Sequence, residues 1–342
     1  IQDNVAPIAI CQNVTVQLDN TGNGSTTAIA VDNGSNDACG IQSLALSQTA
    51  FLCSEVGANT EVLTVTDVNG NTASCIVPVT VIDSGDPSFV NCPGNILVNN
   101  DPDLCGANVW WAQPVAIDGC TGSDMLVNQT GGTAPGSYFS LMDSPHEIVY
   151  TATDENGNTT SCAFTITVRD VQLPDLSCPS GIQTVFTNEG NCSYSNAGSA
   201  LNATAQDNCM LMSLINSFNG TNTLNGAIFP IGATTVQWTA MDMAGNSAIC
   251  TYLVRVLDDD PPMVDECPGN IVDNTDPGEC SSVVWFSVPT FNDNCGGQGV
   301  EGELTEGLAP GSAFPTGVTQ VVYQYVDAAN NIPAVCSFTV KV

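Results

Sequence analysis

The stretch VLTVTDVNGNTASCIVPVTV, residues 62–81, decides the fold expected for this chain. Apolar residues alternate with polar ones on both sides of Asn69-Gly70. Asn-Gly is the pair that tight hairpin turns favour, because both turn positions need a positive φ. The stretch therefore predicts two antiparallel strands joined by a short turn, with one face of the pair buried.

The same phrase returns three more times along the chain. The copies read IVYTATDENGNTTSCAFTITV (148–168), VQWTAMDMAGNSAICTYLVRV (236–256) and VVYQYVDAANNIPAVCSFTVKV (321–342). From the Asp to the following Cys there are 8, 8, 8 and 9 residues, so the register of the phrase is kept. A unit of roughly 85 residues repeated in this way predicts a tandem array. We place the four repeats at 1–84, 85–170, 171–259 and 260–342.

Other signals in each repeat also favour strands. An Asp stands two residues before a cysteine at the end of a β-rich run, and each repeat opens with a Pro-containing acidic junction such as DSGDP or DDDPP. Short strands, frequent turn signals and no helical period predict an all-β chain. The expected architecture is four tandem immunoglobulin-like antiparallel β-sandwich modules, each with two disulfides.

The 16 cysteines fall four to a repeat. The chain has no CxxC pair and a single histidine, His146, which makes zinc a poor explanation and disulfides a good one. Modules of this size have only marginal cores, so cross-links are expected to stabilise them. Disulfides also predict an extracellular or cell-surface location.

Four cysteines in a repeat allow three connectivities, and the sequence alone does not choose among them. One is excluded by distance, because Cys105 and Cys120 flank an extended run of roughly 40 Å, beyond the reach of a disulfide. The preferred pairing keeps every bond within its own repeat. The expected bonds are Cys11–Cys53, Cys39–Cys75, Cys92–Cys105, Cys120–Cys162, Cys178–Cys192, Cys209–Cys250, Cys267–Cys280 and Cys295–Cys336.

The charge of the chain is one-sided. Three basic and 35 acidic residues give a formal net charge of −32. Such a surface excludes nucleic acid and anionic membranes as partners and attracts cations. No segment is apolar and long enough to insert in a membrane, and no basic, apolar leader opens the chain.

These phrases resemble the HYR (hyalin repeat) family of extracellular modules. The resemblance spans all four repeats and is clearest in the fourth, where CPGNI, DPGEC, VVWFSVPTFNDNC, APGSAFPTG and CSFTVKV follow the order of the family. The first repeat departs from the pattern, because it lacks the Cys-Pro pair and carries Cys53 instead of a cysteine after the first turn. The resemblance implies extracellular adhesion or structural arrays, including bacterial cell-surface adhesins, and no catalytic residues.

Acidic residues gather where two repeats meet. Either calcium bound at these junctions or solvated linker charge explains them, since crowded carboxylates repel one another unless something neutralises them. No other cofactor is expected. The hairpin tips DVNGN and DENGN also resemble the start of a calcium loop, but a tight turn requires the same residues. The junction candidates are Asp83, Asp86, Asp170, Asp175, Asp258, Asp259, Asp260 and Asp265.

Adjacent aromatic residues mark one strand in two repeats. Trp110 with Trp111, and Trp285 with Phe286, must face opposite sides of a sheet, so one member of each pair is expected in the core. The outward member either completes the edge of the sandwich or offers a surface for a sugar or a neighbouring subunit. Trp110, Trp111 and Trp285 are therefore candidate surface aromatics.

Three functional classes compete for this sequence. An enzyme is disfavoured because the chain has one histidine and three basic residues, and its cysteines are expected to form a framework. The leading hypothesis is a structural extracellular array, a stalk, filament or adhesin shaft within a longer chain, whose partners are neighbouring copies or flanking repeats. The alternative is an adhesive module, presented on a stalk, that binds glycans or a cell-surface protein.

Overall fold

The computed structural model describes residues 3–122 and 125–342. It contains two compact units, 1–171 and 172–342, and each unit holds two of the sequence repeats. Strands dominate both units, as predicted, and the one α-helix in the described ranges has only four residues. None of the described helices is long and apolar enough to cross a membrane.

The first repeat builds a four-stranded sheet with the order β1-β6-β5-β3, and β2 pairs with β4 on the opposite side. Val16, Leu63 and Phe51 are among the residues buried between the two layers. Its elements are β1 (Val14–Leu18), β2 (Asn23–Ser25), α1 (Ala28–Val31), β3 (Ile41–Leu46), β4 (Ala50–Leu52), a 3-10 turn (Cys53–Glu55), β5 (Gly57–Asp67) and β6 (Thr72–Asp83).

The second repeat has a four-stranded sheet with the order β11-β13-β14-β8, and two strand pairs, β7 with β10 and β9 with β12, lie outside it. Phe139, Ile148 and Ile166 are buried in its core. Its strands are β7 (Ser88–Phe89), β8 (Ile96–Asn99), β9 (Gly106–Asn108), β10 (Ala116–Ile117), β11 (Leu126–Gly131), β12 (Tyr138–Ser140), β13 (His146–Thr153) and β14 (Thr159–Arg169).

The third repeat forms the sheet β16-β22-β21-β19, with the pairs β15–β18 and β17–β20 beside it. Trp238 and Phe229 are the largest side chains buried in its core. Its strands are β15 (Asp175–Ser177), β16 (Ile182–Phe186), β17 (Ser193–Ser195), β18 (Thr204–Gln206), β19 (Leu211–Asn216), β20 (Ile228–Pro230), β21 (Gly232–Asp242) and β22 (Ser247–Leu257).

The fourth repeat forms the sheet β24-β31-β30-β28, together with a three-stranded sheet β23-β26-β27 and the pair β25–β29. Phe291, Phe314 and Phe338 are buried between them. Its strands are β23 (Met263–Glu266), β24 (Ile271–Val272), β25 (Ser281–Val284), β26 (Thr290–Asp293), β27 (Gly297–Glu301), β28 (Glu303–Glu306), β29 (Ser312–Pro315), β30 (Val318–Tyr325) and β31 (Ala334–Lys341).

The repeated phrase forms the hairpin that the sequence predicted in every repeat. In the first, β5 and β6 pair antiparallel from Thr66 opposite Thr72 to Gly57 opposite Val81. The corresponding hairpins are β13–β14, β21–β22 and β30–β31. Alternate residues of β6 and β14 are buried, which is the consequence of the period-two apolar pattern in the sequence.

The expected disulfide pairing is wrong in every repeat. None of the bonds Cys11–Cys53, Cys39–Cys75, Cys92–Cys105, Cys120–Cys162, Cys178–Cys192, Cys209–Cys250, Cys267–Cys280 and Cys295–Cys336 is formed. The first cysteine instead joins the last, in Cys11–Cys75, Cys92–Cys162, Cys178–Cys250 and Cys267–Cys336. Two further bonds, Cys53–Cys120 and Cys192–Cys295, join one repeat to the next.

Parallel pairing of the first long strand with the last explains the bond within each repeat. β8 runs parallel to β14 with Ile96 opposite Ile166, and Cys92 and Cys162 each stand four residues before these partners. Two strands in parallel register carry equivalent positions side by side, so the two sulfurs meet. The expected pairing overlooked this long-range contact.

The expectation that every cysteine is paired is also wrong. Cys39 and Cys280 are free and exposed. Cys105 and Cys209 are disulfide-bonded, so fourteen of the sixteen cysteines are oxidised. This degree of oxidation is that of an extracellular protein.

Candidate functional site

The hairpin turn after each long strand holds its Asp inside a cage of hydrogen bonds. In the second repeat the backbone N–H groups of Asn156 and Asn158 donate to Asp154 Oδ1 over 2.9 and 2.8 Å. The side-chain amide of Asn158 donates to Asp154 Oδ2 over 2.8 Å. Both carboxylate oxygens thus have partners within the turn, which supports the structural interpretation of the tip over a calcium loop.

The equivalent Asp67 in the first repeat is held in the same way. Asn69 and Asn71 donate backbone hydrogen bonds to its Oδ1 over 2.8 and 2.9 Å. Burial by itself would raise the pKa of Asp67, but the hydrogen bonds from Asn71, Asn69 and Gly70 favour the charged form and lower the pKa overall. The turn is therefore built around an ionised carboxylate.

The asparagines of the hairpin also bind the segment that enters from the preceding repeat. In unit 1, Asn156 Nδ2 donates to Asp83 Oδ2 over 3.0 Å, and Asn158 Nδ2 donates to the Asp83 carbonyl over 3.2 Å. In unit 2, Asn331 Nδ2 donates to the carbonyls of Asp258 and Asp260 over 3.3 and 3.1 Å. The hairpins of the second and fourth repeats therefore fix both their own turn and the end of the preceding repeat.

The first junction, where the first and second repeats meet, is also closed covalently. The Cα atoms of Cys53 and Cys120 are 5.1 Å apart in their disulfide. Two glycines let the backbones approach. A Cβ atom on Gly22 would lie 2.3 Å from Cys53 Sγ, and one on Gly119 would lie 2.7 Å from the Gly22 nitrogen.

The last junction, where the third and fourth repeats meet, has the same link between Cys192 and Cys295, with Cα atoms 4.8 Å apart. Asn294 adds hydrogen bonds across it. Its Nδ2 donates to the carbonyl of Asn191 over 3.1 Å and to Asp258 Oδ1 over 3.2 Å. A disulfide and side-chain hydrogen bonds therefore act together at this junction.

Three carboxylates converge at the last junction. One oxygen from each of Asp258, Asp293 and Asp327 lies within 4.8 Å of the other two. These side chains are 9%, 9% and 4% exposed. Asp293 Oδ1 accepts from the backbone of Cys295 over 2.9 Å, whereas Asp293 Oδ2 is buried with no hydrogen-bond partner. An unpartnered buried carboxylate oxygen is costly, so this oxygen is a candidate ligand for a cation.

The corresponding cluster at the first junction is better satisfied by the protein itself. Asp83, Asp118 and Cys120 come together there. Asp83 accepts from the backbone of Gly85 over 3.0 Å as well as from Asn156, and Cys120 is locked in its disulfide. The last junction is therefore the stronger candidate for a metal.

Comparison with known families identifies the repeats. The HYR domain model matches residues 82–168, 169–256 and 257–342. The chain belongs to the HYR domain family. Residues 1–81 lie outside the matched ranges, although their main sheet has the same order and the same parallel first and last strands as the HYR domains.

Two of the curated relatives are hyalins. Hyalin from Strongylocentrotus purpuratus is 31% identical over 84% of this chain, and hyalin from Lytechinus variegatus is 30% identical over 84%. The chain spans 23% and 52% of the lengths of these two relatives. Among solved structures, the extracellular domain of protocadherin GammaB4 is similar to this chain, with 13% sequence identity and a TM-score of 0.33. The alignment covers 99% of this chain and 67% of the protocadherin chain.

The eight acidic residues predicted to bind calcium at the HYR boundaries separate into two groups. Asp83 and Asp258 lie in the carboxylate clusters, and Asp170 is buried at the end of unit 1. Asp260 Oδ2 accepts from Gly190 and Asn294 over 3.0 and 3.1 Å. The other four predicted residues are exposed and belong to none of the clusters found among the described residues. They are Asp86, Asp175, Asp259 and Asp265.

Sequence reasoning missed the other members of these clusters. Asp118 and Asp293 stand two residues before a cysteine, and Asp327 begins a hairpin turn. Their recurrence was visible in the sequence but was interpreted as structural. The folded HYR domain brings the two positions together at the end that receives the preceding repeat.

Each aromatic pair has one member in the core and one at the surface, but the expectation that Trp111 is a surface aromatic is wrong. Trp111 packs in the core of the second repeat and donates from Nε1 to the Tyr150 hydroxyl over 3.0 Å, and Phe286 packs in the core of the fourth. Trp110 is 77% exposed and Trp285 is 76% exposed. Each exposed indole lies over a glycine of an Ala-Pro-Gly turn, Gly136 or Gly311, where a Cβ atom would collide with the ring.

Proposed function

We propose that this chain is a structural extracellular array in which four HYR-like modules, the first divergent, form part of a stalk, filament or adhesin shaft. The supporting observation is the way the junctions are held. At both the first and the last junction, a disulfide and hydrogen bonds from the next hairpin hold one module to its neighbour. Fixed junctions resist bending, which is what a spacer requires.

A distance measurement across the first junction tests this proposal. Spin labels would be attached at the exposed positions Gln17 and Asn128 by a chemistry that does not use cysteine. The distance between the two labels would report the separation of the first two repeats. We expect a narrow distance distribution in the oxidised protein and a broader one in the double variant Cys53→Ser, Cys120→Ser. A broad distance distribution in the unmodified protein would refute the proposal that the chain is a shaft.

We further propose that the chain is not an enzyme. HYR, hyalin and sushi-repeat relatives are repeat proteins, and the inventory of reactive groups is small. His146 is engaged structurally, because its Nε2 lies 2.7 Å from the carbonyl of Ser140 and its ring packs edge-on against Phe139. No nucleophile and base pair suggests itself from these groups.

Calcium is the proposed cation of the last junction. Oxygens that lie 2.3–2.6 Å from one calcium ion are at most about 5 Å apart, which matches the mutual distances in the Asp258, Asp293 and Asp327 cluster. The amide oxygen of Asn294 is also buried without a partner, and because the Nδ2 of the same side chain donates to Asp258 Oδ1 over 3.2 Å, it is a candidate neutral ligand of the kind calcium accepts. Neutralising three close carboxylates would stabilise the junction.

Thermal unfolding with calcium and with a chelator tests the proposed site. Calcium should raise the melting temperature of the unmodified protein, because an ion bound only by the folded state stabilises it. Asp293→Asn should lose this response. Asp259→Asn removes the same charge from an exposed position in the adjoining segment and should retain it. An unchanged melting temperature in the unmodified protein, or a normal response in Asp293→Asn, would exclude calcium here.

A second candidate function rests on the exposure of Trp110. An indole that presents one face to solvent can stack on a sugar ring, so the second repeat is the proposed adhesive module of this alternative. A glycan array probed with the unmodified protein and with Trp110→Ala is the test. Binding that Trp110→Ala abolishes would support adhesion, whereas an array without hits would favour the purely structural role.

A further inference from the structure

Methionines gather at one end of the strand pair β19–β21 in the third repeat. Four of the seven methionines of the chain fall in two short segments, CMLM (209–212) and MDM (241–243). The backbone N–H of Met243 donates to the Met210 carbonyl over 3.1 Å, directly beyond the last residue pair of the two strands. Strand pairing therefore brings the two segments together, and we call these four residues the methionine cluster.

The methionines of the second segment face away from the core. Alternate residues of β21, ending with Ala240 and Asp242, are buried, so Met241 and Met243 belong to the opposite face of the sheet. Met243 is 64% exposed, and Met241 is partly buried. Two thioethers from this segment therefore lie on the outer face.

The partner strand adds two more methionines at a β-bulge. The strand pairing skips Met212 between Leu211 and Ser213, so Met212 is the extra residue of the bulge, and it is 61% exposed. Met210 is 49% exposed. Facing residues on paired strands have Cβ atoms about 4.5–5.5 Å apart, and a methionine side chain has three rotatable bonds. The four sulfurs can therefore turn toward one point.

The fold does not require methionine at these positions. The first repeat has the same bulge between Ile41 and Ser43, and its Val68 donates to the Gly40 carbonyl over the same 3.1 Å. The four equivalent positions of the first repeat, none of which carries sulfur, are Gly40, Gln42, Thr66 and Val68. The same backbone therefore forms without methionine, so the cluster needs an explanation other than folding.

Thioether sulfur selects a particular class of ion. Methionine is a neutral, soft ligand, and soft sulfur ligands favour Cu(I), whereas hard cations such as calcium favour oxygen. The only histidine of the chain, His146, lies in the second repeat, and Cys209 beside the cluster is disulfide-bonded. Neither an imidazole nor a thiolate therefore joins the thioethers. The net charge of −32 attracts cations to the surface in general.

We propose that the thioethers of the methionine cluster bind a soft monovalent cation, Cu(I). Binding exchanges the ligands that the ion brings with it for thioether sulfurs and transfers no electron. A thioether has no proton to lose before it binds a metal, so the affinity should not change with pH. This site is separate from the carboxylates proposed to bind calcium, and it does not depend on the proposed array.

Titration of the full chain with Cu(I) tests the proposal. The parent protein for the test carries Cys39→Ser and Cys280→Ser, because the two free thiols would also bind Cu(I). Cu(I) is added as its acetonitrile complex in the absence of oxygen, and Ag(I), which is not easily oxidised, is the second probe. We expect one ion per chain, a first shell of sulfur alone by X-ray absorption, and shifted methionine methyl signals in NMR spectra.

Leucine variants identify the ligands. Met210→Leu, Met212→Leu and Met243→Leu conserve volume and apolar character, so the fold should be retained. Each should weaken Cu(I) binding by at least about tenfold, since the loss of even an outer-sphere group has an effect of this size. The triple variant should not bind. Met263→Leu is the matched control, because Met263 is 70% exposed but lies in the fourth repeat, and it should bind normally.

Three results would overturn the proposal. They are a parent protein that binds no Cu(I), a triple variant that binds Cu(I) as tightly as the parent, and a parent that prefers Cu(II), which requires nitrogen or oxygen ligands. Equal melting temperatures of the parent and the triple variant exclude unfolding as the cause of lost binding. If the triple variant unfolds, the three single variants and Met263→Leu still decide the question.

Discussion

At the scale of single residues, the asparagines of the hairpin turns connect local structure to the junctions. Asn158 donates to Asp154 within its own turn and to the carbonyl of Asp83 in the preceding repeat. Its backbone N–H also donates to Asp154. The same side chain therefore stabilises a strand connection and a contact between repeats.

Replacing Asn158 should weaken both contacts. Asn158→Ala leaves Asp154 Oδ2 buried without its donor, and such a loss costs about 1–3 kcal/mol. Thermal or denaturant unfolding would measure the change in the free energy of unfolding. Asn128→Ala, at an exposed position of β11, is the matched control and should change stability little. Equal effects of the two variants would contradict this role.

The chemistry of Cys39 depends on a neighbouring carboxylate. The pKa of its thiol is raised, chiefly because the thiol donates a hydrogen bond to Asp3 and because the charge of Asp3 repels the thiolate. The pKa of Asp3 is correspondingly lowered, first by a backbone hydrogen bond from Val5 and then by Cys39. Little thiolate should therefore form at neutral pH.

Removing that charge should activate the thiol. In Asp3→Asn the pKa of Cys39 should fall toward its ordinary value, so its alkylation by iodoacetamide at pH 8 should accelerate. Alkylation of Cys280 in the same molecule serves as the internal control and should keep its rate. If Cys39 reacts equally fast in both proteins, Asp3 does not control the thiol.

At the scale of elements, the parallel pairing of first and last strands determines which cysteines meet. The hairpins could be predicted because alternation and an Asn-Gly turn are local signals. The pairing of β8 with β14 joins residues about 70 positions apart, and nothing local in the sequence marks it. Strand identity was therefore predictable, whereas the disulfide bonds that depend on strand neighbours were not.

The bond between these strands should stabilise its own module. Cys92→Ala with Cys162→Ala opens a loop of 70 residues and should cost about 2–5 kcal/mol in the free energy of unfolding. Cys53→Ser with Cys120→Ser removes a bond between two modules, so each module keeps its own closing disulfide and is expected to lose less of its own stability. Denaturant unfolding of both variants gives the comparison. A larger loss from the junction bond would contradict the assignment of roles.

At the scale of the whole molecule, the disulfides define how the chain carries a load. The bonds between first and last cysteines have sequence separations of 64, 70, 72 and 69 residues and together enclose most of the chain. A force applied to the two termini passes through these bonds, so the enclosed residues are not extended even when a module unfolds. The array was predictable from the period of the sequence. The path of force through the disulfides was not predictable, because it depends on which strands pair.

Force spectroscopy should reveal this protection. Each enclosed loop, at about 3.4 Å per residue, stores roughly 220–245 Å of length that only reduction releases. We expect short extensions for the oxidised chain and much longer ones after treatment with a reductant. Pulling the same molecules before and after the reductant is added provides the control. Equal extensions in both states would refute the proposed load path.

The different exposure of Trp238 and Trp285 allows the folding of unit 2 to be monitored by fluorescence. Trp238 is fully buried in the third repeat, whereas the indole of Trp285 in the fourth faces solvent. Their fluorescence should differ in emission wavelength and in accessibility to acrylamide. Unit 2 thus carries two native optical reporters: Trp238, a blue-shifted chromophore that senses loss of the core, and Trp285, a quenchable chromophore that senses whatever covers the surface.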